Sequence, residues 1–256
     1  MKTGKLYLIP TNLSDAFTPT QILPAAVIAT ARRLNSYIAE NARSARAFLK
    51  QIGIDKPLME ISIVELNNQT RAEALIEMIG PLLSGEDVGL VSEAGAPGVA
   101  DPGALVVALA HQHGIQVVPL VGPSALLLGL MASGLNGQTF AFHGYLPQEK
   151  TARSGAIITL EKESRQRNMT QLFIETPYRN QVLYADLLAT LASTTRLCLA
   201  RDLTGECESV RTMSISEWRK QPLTVEKLPT LFLFLAEPAR PEGKREHGRR
   251  QTIVKP

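Results

Sequence analysis

The sequence predicts an α/β fold in two parts. Three observations carry this: short aliphatic strands alternate with helix-length segments from the amino terminus onward, Gly/Pro-rich loops follow several of those strands, and the alternation restarts near residues 118–121. A chain of 256 residues can form one large or two modest domains and can bury a core without disulfides or metals. Its 45% hydrophobic and 20% charged residues are ordinary proportions for a soluble globular protein.

Residues 5–9 (KLYLI) read as the first strand, with a loop over 10–17. Residues 22–33 read as a helix whose first turn holds Pro24, where a missing N–H costs nothing. A strand at 36–39, a helix at 42–52 ended by Gly53, and a strand at 58–64 follow. Residues 70–83 place Ala74, Leu75, Met78, Ile79 and Leu82 near helical period, which predicts an amphipathic helix. A buried strand at 88–91, a helix at 104–113 stopped by Gly114 and a strand at 115–120 complete the first part. The second part starts with an apolar, buried helix at 124–132 and a strand at 139–142 ahead of the turn-rich 144–147. A polar helix to about 168, a strand at 171–174, a helix at 178–192 and strands at 196–200, 208–213 and 231–235 complete it. The expected organisation is a domain over 1–118, a second over 119–237, and a basic, flexible extension over 238–256.

Charge is uneven. The net charge is +3, but residues 238–256 hold six Lys/Arg against two Glu, so the rest of the chain is close to neutral. A basic segment on a neutral body suits contact with nucleic acid or plain solvation. Residues 102–148 carry no Asp, Glu, Lys or Arg, and 115–135 would be long enough to span a bilayer. Gln116, Pro119, Gly122, Pro123 and Ser124 interrupt that stretch, so a buried strand running into a buried helix is expected, and no membrane contact. The first residues lack the apolar core of a signal peptide, which points to the cytoplasm. Cys198 and Cys207 cannot build a disulfide framework, and each is expected to be a small buried residue. His111 and His113 stand two apart on a helix and face different ways, so no metal is expected.

Three loops after predicted strands carry the candidate chemistry: PTNLSD at 10–15, SEAGAPG at 92–98 and VGPSA at 121–125. Open α/β sheets place ligands at such strand ends, and glycine lets a backbone approach a ligand closely. Any one of these loops alone could simply turn the chain. A dinucleotide fingerprint at 93–98 is disfavoured, because Pro97 interrupts it and the next strand ends without an acid.

The ordered set of motifs says more. GLVSEAGAPGVADPG at 89–103, VVPLVGPSA at 117–125 and FHGYLP at 142–147 are joined by AENAR at 39–43, IETPYR at 174–179 and ARDLT at 200–204. Together they resemble the tetrapyrrole methylase superfamily, in its bacterial 16S rRNA 2′-O-cytidine methyltransferase branch. The resemblance implies two α/β domains with S-adenosylmethionine in the cleft between them, and a homodimer. It places the cofactor against Ile9, Pro10 and Leu13, then Glu93, Gly95 and Ala96, then Gly122, Ser124 and Ala125, with Glu175, Pro229 and Thr230 from the second domain. It points to Glu40, Arg43, Arg179, Arg201 and Glu208 as catalytic or substrate-holding residues; pairing of these arginines with neighbouring carboxylates is equally open. His143 is a further candidate base at a strand end.

The departures concern the substrate more than the fold. The family pattern has Asp at Glu93, Thr at Ala96, Asp at Asn41 and Lys at Gly205. The first loop is shorter than in the rRNA enzymes, and those carry a further short segment after the second domain. Three readings are therefore open: an RNA ribose methyltransferase acting on RNA or the ribosomal subunit, a small-molecule or protein methyltransferase on the same fold, and a cofactor-binding regulator without catalysis.

Overall fold

A computed structural model of the chain describes residues 3–67 and 69–237. The extension expected at 238–256 lies outside the described residues. Two five-stranded sheets carry the structure. The first runs β3-β2-β4-β1-β5, from β1 (Lys5–Ile9), β2 (Ser36–Ala39), β3 (Ser62–Glu65), β4 (Val88–Val91) and β5 (Gln116–Pro119). All its pairings are parallel, with Leu6 opposite both Val88 and Val117. Helices α1 (Pro19–Ile22), α2 (Ala25–Arg33), α3 (Ala42–Gln51), α4 (Ala72–Met78), α5 (Gly80–Leu83) and α6 (Gly103–Gln112) make the crossovers.

The strands of this sheet are apolar on both faces, as a doubly covered parallel sheet requires. Tyr7, Ile9, Tyr37 and Val91 pack with Val27, Phe48 and Leu49 of α2 and α3. Their neighbours along the strands, Leu6, Ile38 and Leu90, pack instead with Met78, Leu82 and Val106 of α4, α5 and α6. The period-two alternation thus divides one sheet between two cores.

The second sheet runs β6-β7-β10-β8-β9, from β6 (Phe140–Tyr145), β7 (Thr170–Ile174), β8 (Arg196–Arg201), β9 (Ser209–Ser214) and β10 (Thr230–Leu235). Only β6 and β7 pair in parallel; β7, β10, β8 and β9 are antiparallel neighbours. Helices α8 (Lys150–Arg167), α9 (Asn180–Thr190) and α10 (Ile215–Lys220) cover one face, where Phe173, Phe232 and Phe234 meet Tyr184 and Trp218. Helix α7 (Ala125–Ser133) covers the other, over Leu172, Cys198, Leu231 and Leu233. A buried ion pair of Arg153 with Asp186, Nε to Oδ2 at 2.7 Å, ties α8 to α9, and the same guanidinium donates to the carbonyls of Pro147 and Gln148.

Several elements differ from the sequence reading. The helix expected over 22–33 starts only at Ala25, with Pro24 standing before α2 as its cap residue, and the short α1 precedes it unexpected. The helix expected over 70–83 breaks at Ile79, because Pro81 has no N–H to bond back to Glu77 and its ring crowds that carbonyl. Residues Leu58–Glu60 form a 3-10 turn and the strand begins only at Ser62. Helix α10 was not expected; Ser214 and Glu217 start it with reciprocal side-chain-to-backbone bonds, a capping box readable in the sequence. Helix α7 is not buried all round: Leu127 and Met131, one turn apart, are 55% and 78% exposed. Cys198 is buried but Cys207 is exposed. Among the described residues no helix is long and apolar enough to cross a membrane.

Candidate functional site

The carboxyl ends of β1, β4 and β5 converge beside the second sheet, and three loops meet there. Thr11 and Gly95 exchange backbone hydrogen bonds of 2.9 and 3.2 Å, so the loops after β1 and β4 are stitched together. Gly95 has φ +74°, and a Cβ on it would sit 3.0 Å from Leu13 Cδ2. Gly122, after β5, is pressed on Pro10: a Cβ there would lie 2.2 Å from the proline ring. Its small size therefore serves loop packing.

The second domain meets these loops through a tight turn after β8. Asp202 and Thr204 both have positive φ, 47° and 66°, which side chains rarely adopt outside constrained sites. Thr204 donates its N–H to Glu208 Oε2 at 2.6 Å, and Cys207 N–H donates to Asp202 Oδ2 at 2.8 Å. A Cβ at position 205 would lie 2.1 Å from the Asp202 carboxylate, so Gly205 is what this turn requires. Ser14 of the first domain donates its hydroxyl to the Thr204 carbonyl at 2.8 Å and clasps the turn.

A cavity of about 360 Å³ lies between the halves, within the range usual for small-molecule sites. Leu13, Gly95, Ala96, Ser124, Ala125, Glu175, Pro229 and Thr230 line it, so residues expected at the cofactor from three loops and the second domain come together. Ser124 precedes α7 in extended backbone and its hydroxyl makes no cap bond. Sequence reading did not name Asp202, Leu203, Phe142 and Tyr145, which also line this cavity, although all four sat inside quoted motifs, at 200–204 and 142–147.

The structure places four of the expected cofactor residues elsewhere. Ile9 is fully buried in the first core, and Pro10 and Gly122 pack on one another. Glu93 lines a second cavity of about 380 Å³, walled by residues including Thr11, Asn12, Ser44 and Phe48, and its carboxylate accepts from the Ser44 hydroxyl. Leu13 and Ala94 border both cavities.

The expected catalytic residues divide as well. Arg179 is paired with Glu175: its Nε and a terminal nitrogen lie 3.0 and 2.7 Å from Oε1, which also accepts from the Thr176 N–H. The Glu175 side chain is 2% exposed and that of Arg179 35%, so this arginine holds a buried carboxylate in place. Glu208 caps the Thr204 turn. Glu40 accepts from the Glu93 N–H at 3.2 Å. Burial pushes the Glu40 carboxyl above the ordinary carboxylate range; the Glu93 N–H opposes this, and the charges of Asp101 and Glu93 add to it. Asn41 caps α3 by accepting from the Arg43 N–H at 2.8 Å, a role that Asn and Asp fill equally well. Arg43 is exposed next to Ser44, and Arg201 ends β8 beside Asp202. His143 bonds the buried Gln171 side chain and borders neither cavity. Burial raises the Cys198 thiol to about 11. Among the described residues no group of three or more His, Cys, Asp or Glu is placed to hold a metal.

Comparison with known proteins decides the family. The chain is 36% identical over 210 residues to the ribosomal RNA small subunit methyltransferase I of Xylella fastidiosa, covering 81% of this chain and 71% of that protein. The chain belongs to the ribosomal RNA small subunit methyltransferase I family. The proteins of that name from Vibrio cholerae and Escherichia coli O157:H7 are 32% and 31% identical, over 83% and 85% of this chain and 69% and 73% of theirs. The fold is shared more widely. The methyltransferase CobJ superposes with a TM-score of 0.61 at 15% identity, covering 94% of this chain and 98% of its own. Diphthine synthase gives 0.64 at 17% identity, over 91% and 90%. No family model matches the chain.

Proposed function

We propose that this methyltransferase takes S-adenosylmethionine into the cavity between its halves and methylates a ribose 2′-hydroxyl of small-subunit ribosomal RNA in the cytoplasm. The observation that carries the reading is the convergence of Leu13, Gly95, Ala96, Ser124, Ala125, Glu175 and Thr230 on one cavity. The lining suits the cofactor chemically. Leu13, Ile174, Leu203 and Leu231 offer apolar walls to a flat base. Asp202 offers a carboxylate acceptor to ribose hydroxyls, and the first turn of α7 suits a carboxylate. When bound, the cofactor supplies an activated methyl carbon: an oxygen–carbon bond forms as the sulfur–carbon bond breaks, the electron pair returning to sulfur and the hydroxyl proton leaving to water.

The protein's own part is alignment and exclusion of water more than covalent chemistry. The Ser14–Thr204 and Thr11–Gly95 bonds hold the loops around the cavity, and the buried Glu175, fixed by Arg179, keeps a negative charge beside it. Arg43 and Arg201, beside the two cavities, are placed to hold phosphates of the RNA strand, and the basic charge of 238–256 adds affinity without sequence preference. A second copy of the chain is proposed to cover Leu127 and Met131 on the outward face of α7.

Labelled cofactor offered with unmethylated small ribosomal subunits, total protein and small-molecule fractions tests the reading. Label recovered in a 2′-O-methylated nucleoside of the small-subunit RNA is the expected result. Label confined to protein or small molecules would overturn it, and saturable cofactor binding with no transfer to any fraction would favour the regulator.

A further inference from the structure

We infer that the second cavity, beside the candidate cofactor cavity, receives the base of the acceptor nucleotide and that Glu93 reads an exocyclic amino group on it. The inference rests on the function proposed above. Its starting point is adjacency: the two cavities share Leu13 and Ala94 as a common wall, and a methyl acceptor must approach the methyl donor closely.

The chemistry of the second cavity selects its occupant. None of the residues bordering it is Lys or Arg, whereas Asp15 and Glu93 both border it. A phosphate would be repelled from such a space, so the strand's backbone stays outside. The groups facing it are mainly acceptors. The Glu93 carboxylate uses one oxygen on the Ser44 hydroxyl. Asn12 also borders it, and its amide nitrogen is already donated to the Phe17 carbonyl at 2.6 Å, so that N–H is not offered to the cavity. Leu13, Pro19 and Phe48 add apolar surface for the faces of a ring. A volume of about 380 Å³ bordered by apolar side chains and a carboxylate, with no cation, suits a neutral, flat, donor-bearing base. Enzymes that modify a nucleotide commonly seat its base between apolar side chains and read the edge by hydrogen bonds, and carboxylates accept from base amino groups. Placed this way, the base would leave its ribose at the Leu13–Ala94 wall, beside the cofactor.

This accounts for Glu93 lying away from the first cavity, where the family resemblance put it. The main-chain N–H of Glu93 is held by Glu40 and its side chain by Ser44, so the carboxylate enters the cavity from a fixed support.

Two variants test the inference, with cofactor affinity measured by calorimetry beside methyl transfer to unmethylated small ribosomal subunits. Ala47 is exposed on α3 and borders the second cavity, so Ala47→Trp fills the space without disturbing a core. It should leave cofactor affinity unchanged and lower kcat/KM for the subunit by tenfold or more, the loss of at least about one good contact. Glu93→Ala should lower kcat/KM by about 10- to 100-fold, as loss of a hydrogen bond to a charged group does, while Glu93→Asp should recover most of it. Reconstituted subunits whose target base is replaced by uracil should be poor substrates for the wild-type protein, and should lose nothing further with Glu93→Ala. Unchanged transfer by Ala47→Trp would overturn the inference, as would a parallel loss of cofactor affinity in either variant. Wild-type protein that binds the cofactor but never methylates the subunit would overturn the proposed acceptor, and this inference with it.

Discussion

Thr11 and Gly95 join two loops that are 84 residues apart in sequence by a reciprocal pair of backbone hydrogen bonds. The bridge brings Gly95 to the border of the first cavity and depends on Gly95 holding φ at +74°. Gly95→Val should therefore destabilise the protein by about 1–2 kcal/mol from backbone strain alone. The added side chain also meets Leu13, so cofactor affinity should fall at least about tenfold. Denaturant unfolding and calorimetry measure the two effects, and a variant that binds normally would show the bridge to be irrelevant to the cavity.

Ala125 opens α7 and borders the first cavity, half-buried. Ala125→Trp should abolish cofactor binding while leaving the fold cooperative. Cys207→Ser, at an exposed position, should change neither property. Cys198→Ser puts a hydroxyl into the core between α7 and the second sheet and should cost about 1–3 kcal/mol of stability with cofactor affinity intact. Cofactor-induced shifts in thermal midpoint separate these outcomes.

The Glu175–Arg179 pair is asymmetric, since the carboxylate is buried and the guanidinium partly exposed. Arg179→Ala should cost about 2–4 kcal/mol, because it leaves a buried charge without its partner. Adding Glu175→Gln should restore part of that loss. Additive losses in the double-mutant cycle would mean that the two residues do not act as a pair.

Glu40 gives a pH signature. Burial raises its carboxyl in the folded state above its unfolded value, so the folded protein binds the proton more tightly. Its contribution then favours folding at acid pH and is lost as pH rises from the ordinary carboxylate range through the raised value. Glu40→Gln should be more stable than wild type at neutral pH, and the difference should shrink as pH falls below that window. Chemical unfolding across pH 4 to 7, roughly spanning the carboxylate range, checks the sign; a difference that grows toward acid would contradict it.

Much of this was open to sequence reading, for identifiable reasons. The strands at 5–9, 88–91 and 171–174 declare themselves by aliphatic runs, and α8 was legible as a polar helical stretch, both local properties. The strand-end loops that frame the first cavity were legible because Gly and Pro mark places where backbone geometry is special. The same logic failed at 70–83, where periodicity continued through Pro81 although the backbone could not.

Taken alone, the sequence determined the α/β class and most of the succession of elements, and it marked the three strand-end loops, because alternation, turn chemistry and ordered motifs are written along the chain. Only the tertiary structure decided how that loop set divides. Gly122 closes on Pro10, Glu93 turns to Ser44 and a second cavity, and Asp202 enters the first cavity from a strained turn. Each of these depends on contacts between residues distant in the chain or on the direction of a side chain. Close packing, charge pairing and burial set such relations between surfaces brought together by folding, and no local pattern encodes them.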